Sequence, residues 1–245
     1  MGRLYENPPI IEAVCEFRFQ PSQPWDWTIL GLFYDRVKKE FPNKKQQNAI
    51  ELRIHPSGGE IKQQLQMQFW REDEKSLLQV GVDLLTINML KPYPNWAIFK
   101  SLIAEAFAIY KDIAQPKGFH RIGLRYINQI NTGEKEARIE DYLRAYPTVP
   151  KEIPQLYTGW LQRVDVPFEP LNGILRLHVG SVREEQQKAV SFLLDLDFGT
   201  LRASDVALDE ALDWVEQAHS QIEQVFEACI TDKARTLFKE VPKHV

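Results

Sequence analysis

Along the opening of the chain, Ile11, Ala13, Cys15, Phe17 and Phe19 alternate with Glu12, Glu16 and Arg18, behind the pair Pro8-Pro9. Period two over this length predicts a strand with one buried face. The period then changes. Asp26 stands as an N-cap before Trp27, Leu30, Tyr34, Val37 and Phe41, a helical stripe that Pro42 stops. Three strand patterns follow. Ile50, Leu52 and Ile54 alternate with Glu51, Arg53 and His55; Leu65, Met67 and Phe69 with Gln64, Gln66 and Gln68; Leu78, Val80, Val82 and Leu84 with Gln79, Gly81 and Asp83. A long helix is predicted from Asn95 to Ala114, with Phe99, Leu102, Ala106, Tyr110 and Ile113 on one face and Pro116 and Gly118 behind it.

The order then repeats. Ile122, Leu124, Tyr126 and Ile130 alternate with Arg121, Arg125 and Gln129 between Phe119 and Asn131. A short helix is predicted over 139–146, strands over 156–166, 173–181 and 190–198, and a final helix from Asp205 to Ile230. Residues 1–118 and 119–245 thus read as two pseudo-repeats of one intimately packed domain, with Asp83 and Asp197 at equivalent points. The fold class is α+β: a pseudo-duplicated strand–helix–three strands–helix unit. It forms one curved antiparallel sheet with helices on one face and a polar face open to water or a partner.

The first strand of each repeat meets the other at the pseudo-dyad in this reading. Glu12, Glu16 and Arg18 on one strand then face Arg121 and Arg125 on the other, pairs that set register more than strength. Asn128 falls in the apolar register of the second strand, which suits a structural polar network. With Asp195 and Asp197, these charged residues are the candidate binding positions.

Charge decides against several functions. Net charge is -4, and the expected polar face balances Arg18, Arg53, Lys62, Arg121, Arg125, Arg163 and Arg176 against Glu12, Glu16, Glu51, Asp83, Asp165, Asp195 and Asp197. Such a face does not attract a polyanion. Between residues 203 and 232 there are carboxylates but no Lys or Arg. Nucleic-acid binding by this chain alone is therefore disfavoured. The one basic cluster, Arg36, Lys38, Lys39, Lys44 and Lys45, is placed at the first helix end and the loop after it. It is a solvated helix terminus or a contact patch.

Catalytic constellations are missing from the sequence. The five histidines form no ligand pair on a shared helix or loop, His219 reads as a core residue, and no metal or cofactor is expected. His178 beside Asp195 and Asp197 is the nearest approach to a cation site. There is no nucleophile elbow, P-loop or dinucleotide turn. Cys15 and Cys229 lie on expected buried faces, where a thiol is inert. Trp25, Trp27, Trp70, Tyr93 and Trp96 cluster near helix entries, as packing residues or partner contacts. No apolar run reaches the ~18–20 residues of a membrane helix, and the polar start does not read as a signal peptide, so the expected compartment is the cytoplasm.

The run Tyr5-Glu6-Asn7-Pro8-Pro9-Ile10-Ile11-Glu12-Ala13-Val14-Cys15-Glu16-Phe17-Arg18-Phe19 resembles the opening of a sporadically distributed, uncharacterised prokaryotic family of about this length. The resemblance continues in Gly123-Leu124-Arg125-Tyr126-Ile127-Asn128 and in His219, Ile222, Phe226 and Ile230-Thr231-Asp232. Its scattered distribution implies mobile genes, including defence and toxin–antitoxin loci. The expectation is a non-enzymatic protein-binding or assembly module with another protein as partner, homo-oligomers also being open. The alternatives are a small-ligand receptor or enzyme whose pocket between sheet and helices uses Glu12, Glu16, Arg125 and Asp197, and nucleic-acid binding through the basic helix end.

Overall fold

The computed structural model describes residues 3–55, 58–154, 159–182 and 189–241, and for 48–55 and 58–64 the backbone course alone. Among the described residues, β1 (Ile10–Gln20), β2 (Asn43–His55), β3 (Gly58–Trp70), β4 (Ser76–Gly81), β5 (Leu84–Leu90), β6 (Gly118–Asn131), β7 (Leu161–Phe168), β8 (Gly173–Val182) and β9 (Ser191–Thr200) build one open antiparallel sheet. Its order is β2-β3-β4-β5-β1-β6-β9-β8-β7. The helices are α1 (Thr28–Val37), α2 (Trp96–Ala114), α3 (Ala211–Cys229) and α4 (Asp232–Phe238). The chain divides into two compact units. One holds Met1–Ala13, Leu124–Leu201 and Asp213–Val245, the other Val14–Gly123 and Arg202–Leu212.

In the second of these units, the alternation of β1 has its expected outcome: Cys15, Phe17 and Phe19 are buried. Phe17 packs against Phe107 of α2 at 4.8 Å between ring centroids, and Phe19 stacks on Tyr110 at 4.4 Å. Burying each such ring contributes about 1.5–3 kcal/mol. The Asn95 side chain accepts a hydrogen bond from Ile98 N at 2.9 Å, which caps α2. At α1 the Asp26 carboxylate instead accepts from Thr28 N at 2.8 Å, one residue before the geometric cap, and the helix ends at Val37 rather than Phe41.

Three local corrections belong to this unit. Residues 43–47 are strand, so Lys44 and Lys45 lie on β2 and not in a loop. The single strand expected over 78–84 is two strands, joined by the two-residue loop Val82-Asp83. Asp83 has φ 54°, a left-handed conformation that Asp tolerates better than branched residues. Leu84 to Met89 are all buried, so the alternation of Leu85, Ile87 and Met89 with Thr86 and Asn88 belongs to a strand covered on both faces. The strand expected at Ile50, Leu52 and Ile54 is the later part of β2, while the side chains there, with those of Glu51, Arg53 and Lys62, lie outside the description.

In the first unit, Leu124, Tyr126 and Ile130 of β6 and Phe192, Leu194, Leu196 and Phe198 of β9 are buried. The rings of Trp214 and Phe198 lie 6.0 Å apart, and Trp214 Nε1 donates to Leu171 O at 3.1 Å. His219 is buried as expected, its Nδ1 3.3 Å from Tyr126 Oη. The helix expected over 139–146 is only a 3-10 turn at Ile139–Asp141. The final helix starts at Ala211, six residues later than expected, and α4 follows it behind the cap Thr231, whose hydroxyl accepts from Ala234 N at 3.3 Å. Four strands follow β1 and α1 where the repeat reading has three. Asp83 in a turn and Asp197 within β9 are not equivalent, which removes that support for the duplication.

Candidate functional site

In the first unit, the polar face carries ion pairs placed by register. His178 stands opposite Asp195 and Arg176 opposite Asp197 across β8 and β9, and Asp165 opposite Arg176 across β7 and β8. Arg125 of β6 grips Asp195 with two hydrogen bonds, Nε to Oδ1 at 2.8 Å and Nη2 to Oδ2 at 2.7 Å. The Asp195 side chain is only 4% exposed, so this fork is what compensates its burial. The same bonds raise the Arg125 guanidinium above its ordinary range and keep it charged, with Asp197 and Glu12 adding to the field. His178 Nδ1 lies 3.3 Å from Asp195 Oδ2. Arg176 Nη1 reaches Asp197 at 3.3 Å, and Arg163 forks onto Asp165 at 2.8 Å twice. Hydrogen bonding to Arg163 lowers the Asp165 carboxyl.

The second unit has its own polar groups. Glu16 Oε1 accepts from Arg121 Nη1 at 2.8 Å and from Arg18 Nε at 3.0 Å. The Arg121 guanidinium lies flat over Gly123, where a Cβ would be 2.1 Å from Nη1. Any side chain at position 123 would push the guanidinium aside and off Glu16. The expected Glu16–Arg121 pairing is therefore present, whereas Arg125 turns to Asp195 and not primarily to Glu12. Further out, amides replace ions. Gln68 bonds Gln47 and, at 3.0 Å, Gln79, and Gln79 bonds Asn88 at 2.9 Å. Asn128, buried in the apolar register, donates to Leu194 O at 3.0 Å, the structural role its position suggested.

The basic cluster does not stand as a free cationic patch. Arg36 pairs with Asp112 at 3.3 Å, Lys38 with Asp35, and Lys45 with Glu74 at 3.2 Å. Lys44 and Lys45 also sit 4.4 Å over Tyr34 and 4.5 Å over Trp70. Lys39 lines a small hollow with Arg36 and Glu40. Several of the entry aromatics pack locally: Tyr93 and Trp96 against Phe99, and Trp25 against Trp27. Trp27 remains 53% exposed.

A cavity of about 230 Å³ lies in the second unit, lined among others by Trp25, Asp83 and Tyr110. None of Glu12, Glu16, Arg125 or Asp197 lines this cavity. Burial raises the Asp83 carboxyl, with His120 opposing, and Trp25 Nε1 is buried without a hydrogen-bond partner. Both thiols are buried, and burial pushes Cys229 up to about 11 and raises Cys15 as well. Among the described residues no three His, Cys, Asp or Glu side chains gather to hold a metal ion, and no helix is long and apolar enough to cross a membrane.

Two features were missed in the sequence. Tyr5 Oη donates to Glu227 at 2.6 Å, Arg235 Nε donates to Glu227 at 2.9 Å, and Tyr5 packs edge-on against Phe226 and Phe238. Burial raises the Tyr5 phenol, so it stays a donor. The conspicuous opening run thus meets the closing run, through a helix too short to show a period. The second feature is the outer edge of β7. Ser181 N donates to Trp160 O at 3.1 Å, so Trp160 bonds toward β8. By antiparallel alternation, Gln162, Val164 and Val166 do the same, and the backbone groups of Leu161, Arg163 and Asp165 point to the open edge. Pro167, with no N–H to offer, also falls on the outward set, as an edge proline should. Leu161 is 72% exposed, and Val164 and Val166 are more than a third exposed.

Compared with known proteins, the chain matches no family model and no curated sequence.

Proposed function

We propose that this protein is a non-enzymatic binding or assembly module that joins another polypeptide by adding a strand to the β7 edge. The observation that carries this reading is the edge itself: a terminal strand with outward backbone groups and exposed Leu161, Val164 and Val166. Such an edge is a template for a further strand unless it is blunted by charge or covered. The opposite edge begins Asn43-Lys44-Lys45-Gln46-Gln47, all exposed and polar, and is blunted in that way. Most of the ions and amides described on the polar face pair with one another, which favours the edge over the face as the contact surface. The resemblance of the opening run adds a setting, an accessory role in a prokaryotic defence or toxin–antitoxin locus, which the products of neighbouring genes test.

The test uses Asp165→Pro, which removes an outward N–H and leaves the β8 ladder intact. Tagged chain recovered from its own cells is expected to run in native mass measurement as a stoichiometric complex larger than one chain, and Asp165→Pro as one chain with unchanged circular dichroism. Wild type recovered at the mass of one chain overturns the reading.

The cavity carries a second reading, a receptor for a small polar ligand that meets the Trp25 indole N–H and the Asp83 carboxyl. Binding of such a ligand moves the Trp25 indole resonance; a panel of small amines and amides that leaves it unmoved removes this reading.

A further inference from the structure

We propose that the strand received by the β7 edge is β7 of a second copy of this chain, in an antiparallel pair centred on Val164. The inference rests on the strand-addition reading and names its partner. Outward backbone groups lie at Leu161, Arg163 and Asp165, so two copies bond only in registers that set these positions against one another. Centring the pair on Val164 places Arg163 opposite the second copy's Asp165, and Asp165 opposite its Arg163. Moving the centre one residue toward the N-terminus sets Arg163 against Arg163. Moving it one residue toward the C-terminus sets Asp165 against Asp165. A parallel pair in register does both. Among these arrangements, only the one centred on Val164 makes both charged pairs attractive.

The same register fits the rest of the strand. Leu161 comes to face Pro167, whose carbonyl accepts although its nitrogen cannot donate, and the ladder ends there. Val164 meets Val164 at the two-fold axis. Val164 and Val166 stand opposite Leu177 and Leu175 in the β7–β8 register, so the pairing continues their apolar face beyond the edge. Arg163 and Asp165 already fork onto each other within one chain, with side chains 55% and 38% exposed. Both are thus exposed at the edge, where that contact can be exchanged for the equivalent one across the axis, and rows of alternating charge run on from one copy into the next. Isologous pairing of this kind closes as a dimer and leaves no growing edge at β7.

Sedimentation of the purified full chain from about 1 to 100 μM tests the proposal. Wild type is expected to pass from monomer to dimer. Arg163→Asp sets Asp against Asp across the axis, and Asp165→Arg sets Arg against Arg; each is expected to weaken the dimer about tenfold or more. An equimolar mixture of these two variants restores opposite charges at both positions, and so does the double variant; both are expected to dimerise as wild type does. Thermal unfolding of each variant checks that the fold is intact, and Asp165→Pro, which acts through the backbone, abolishes the dimer whatever the side chains do. A dimer indifferent to both reversals, or weakened by them without rescue in the mixture, overturns the assigned pairing. A chain that stays monomeric at 100 μM overturns self-pairing alone, because strand addition from another polypeptide is read separately in the complex recovered from cells.

Discussion

Asp195 shows how a single carboxylate fixes the polar face of its unit. Its side chain is 4% exposed, and Arg125 supplies both hydrogen bonds that compensate the burial. Arg125→Ala leaves a desolvated charge beside His178 and is expected to cost about 3 kcal/mol in urea unfolding. Replacing both partners by leucine should recover most of that loss, and a double-mutant cycle measures the coupling. Asp83 behaves in the opposite sense. Burial raises its carboxyl in the folded state, so the folded chain binds the proton more tightly than the unfolded one. Its effect is to reduce stability as pH rises from the ordinary carboxylate range through the raised value. Asp83→Asn keeps a residue that tolerates φ 54° and removes that slope. It is expected to unfold at higher urea than wild type at pH 7, and to lose this advantage on acidification. The buried thiols give a third outcome: with Cys229 near 11 and Cys15 also raised, iodoacetamide at pH 8 should leave both unmodified until denaturant is added.

Among the elements, those with one buried face were legible in the sequence. The alternation in β1 and β6 and the stripe of α2 describe the faces that the fold buries. Elsewhere the signal failed for identifiable reasons. β5 is buried on both faces, so its polar positions Thr86 and Asn88 mark no solvent side, and Asp83 hides a turn inside what reads as one strand. α4 spans seven residues, fewer than two turns beyond its cap, and Lys233 and Arg235 gave no warning of it because they follow an acidic run. Candidate site residues fared in the same way. The pairing of Glu16 with Arg121 follows from adjacent strands, but the choice of Asp195 by Arg125 depends on which strand lies beyond β6, and no pattern in β6 encodes that. Caps offer the direct check at this scale. Asn95→Ala is expected to cost about 1 kcal/mol through α2. Thr231→Ala should cost as much or more, since the Thr231 hydroxyl both caps α4 and donates to Asp141 O at 2.5 Å.

At the scale of the whole molecule, the sheet ends in two unlike edges. The β2 edge begins with exposed lysines and amides, and the β7 edge presents Leu161, Val164 and Val166 with the mutually paired Arg163 and Asp165 and with Pro167. The proposed strand addition rests on that asymmetry: most of the described ions of the polar face pair within the chain, and the β7 edge carries exposed apolar side chains. Amide hydrogen exchange along β7 tests this most directly. In dilute protein the amides of Leu161, Arg163 and Asp165 should exchange quickly while those of Gln162, Val164 and Val166 are protected by β8, and in the associated protein the outward three should slow by about tenfold or more. Outward amides protected equally at every concentration, or exchanging just as quickly once the protein has associated, would contradict the account.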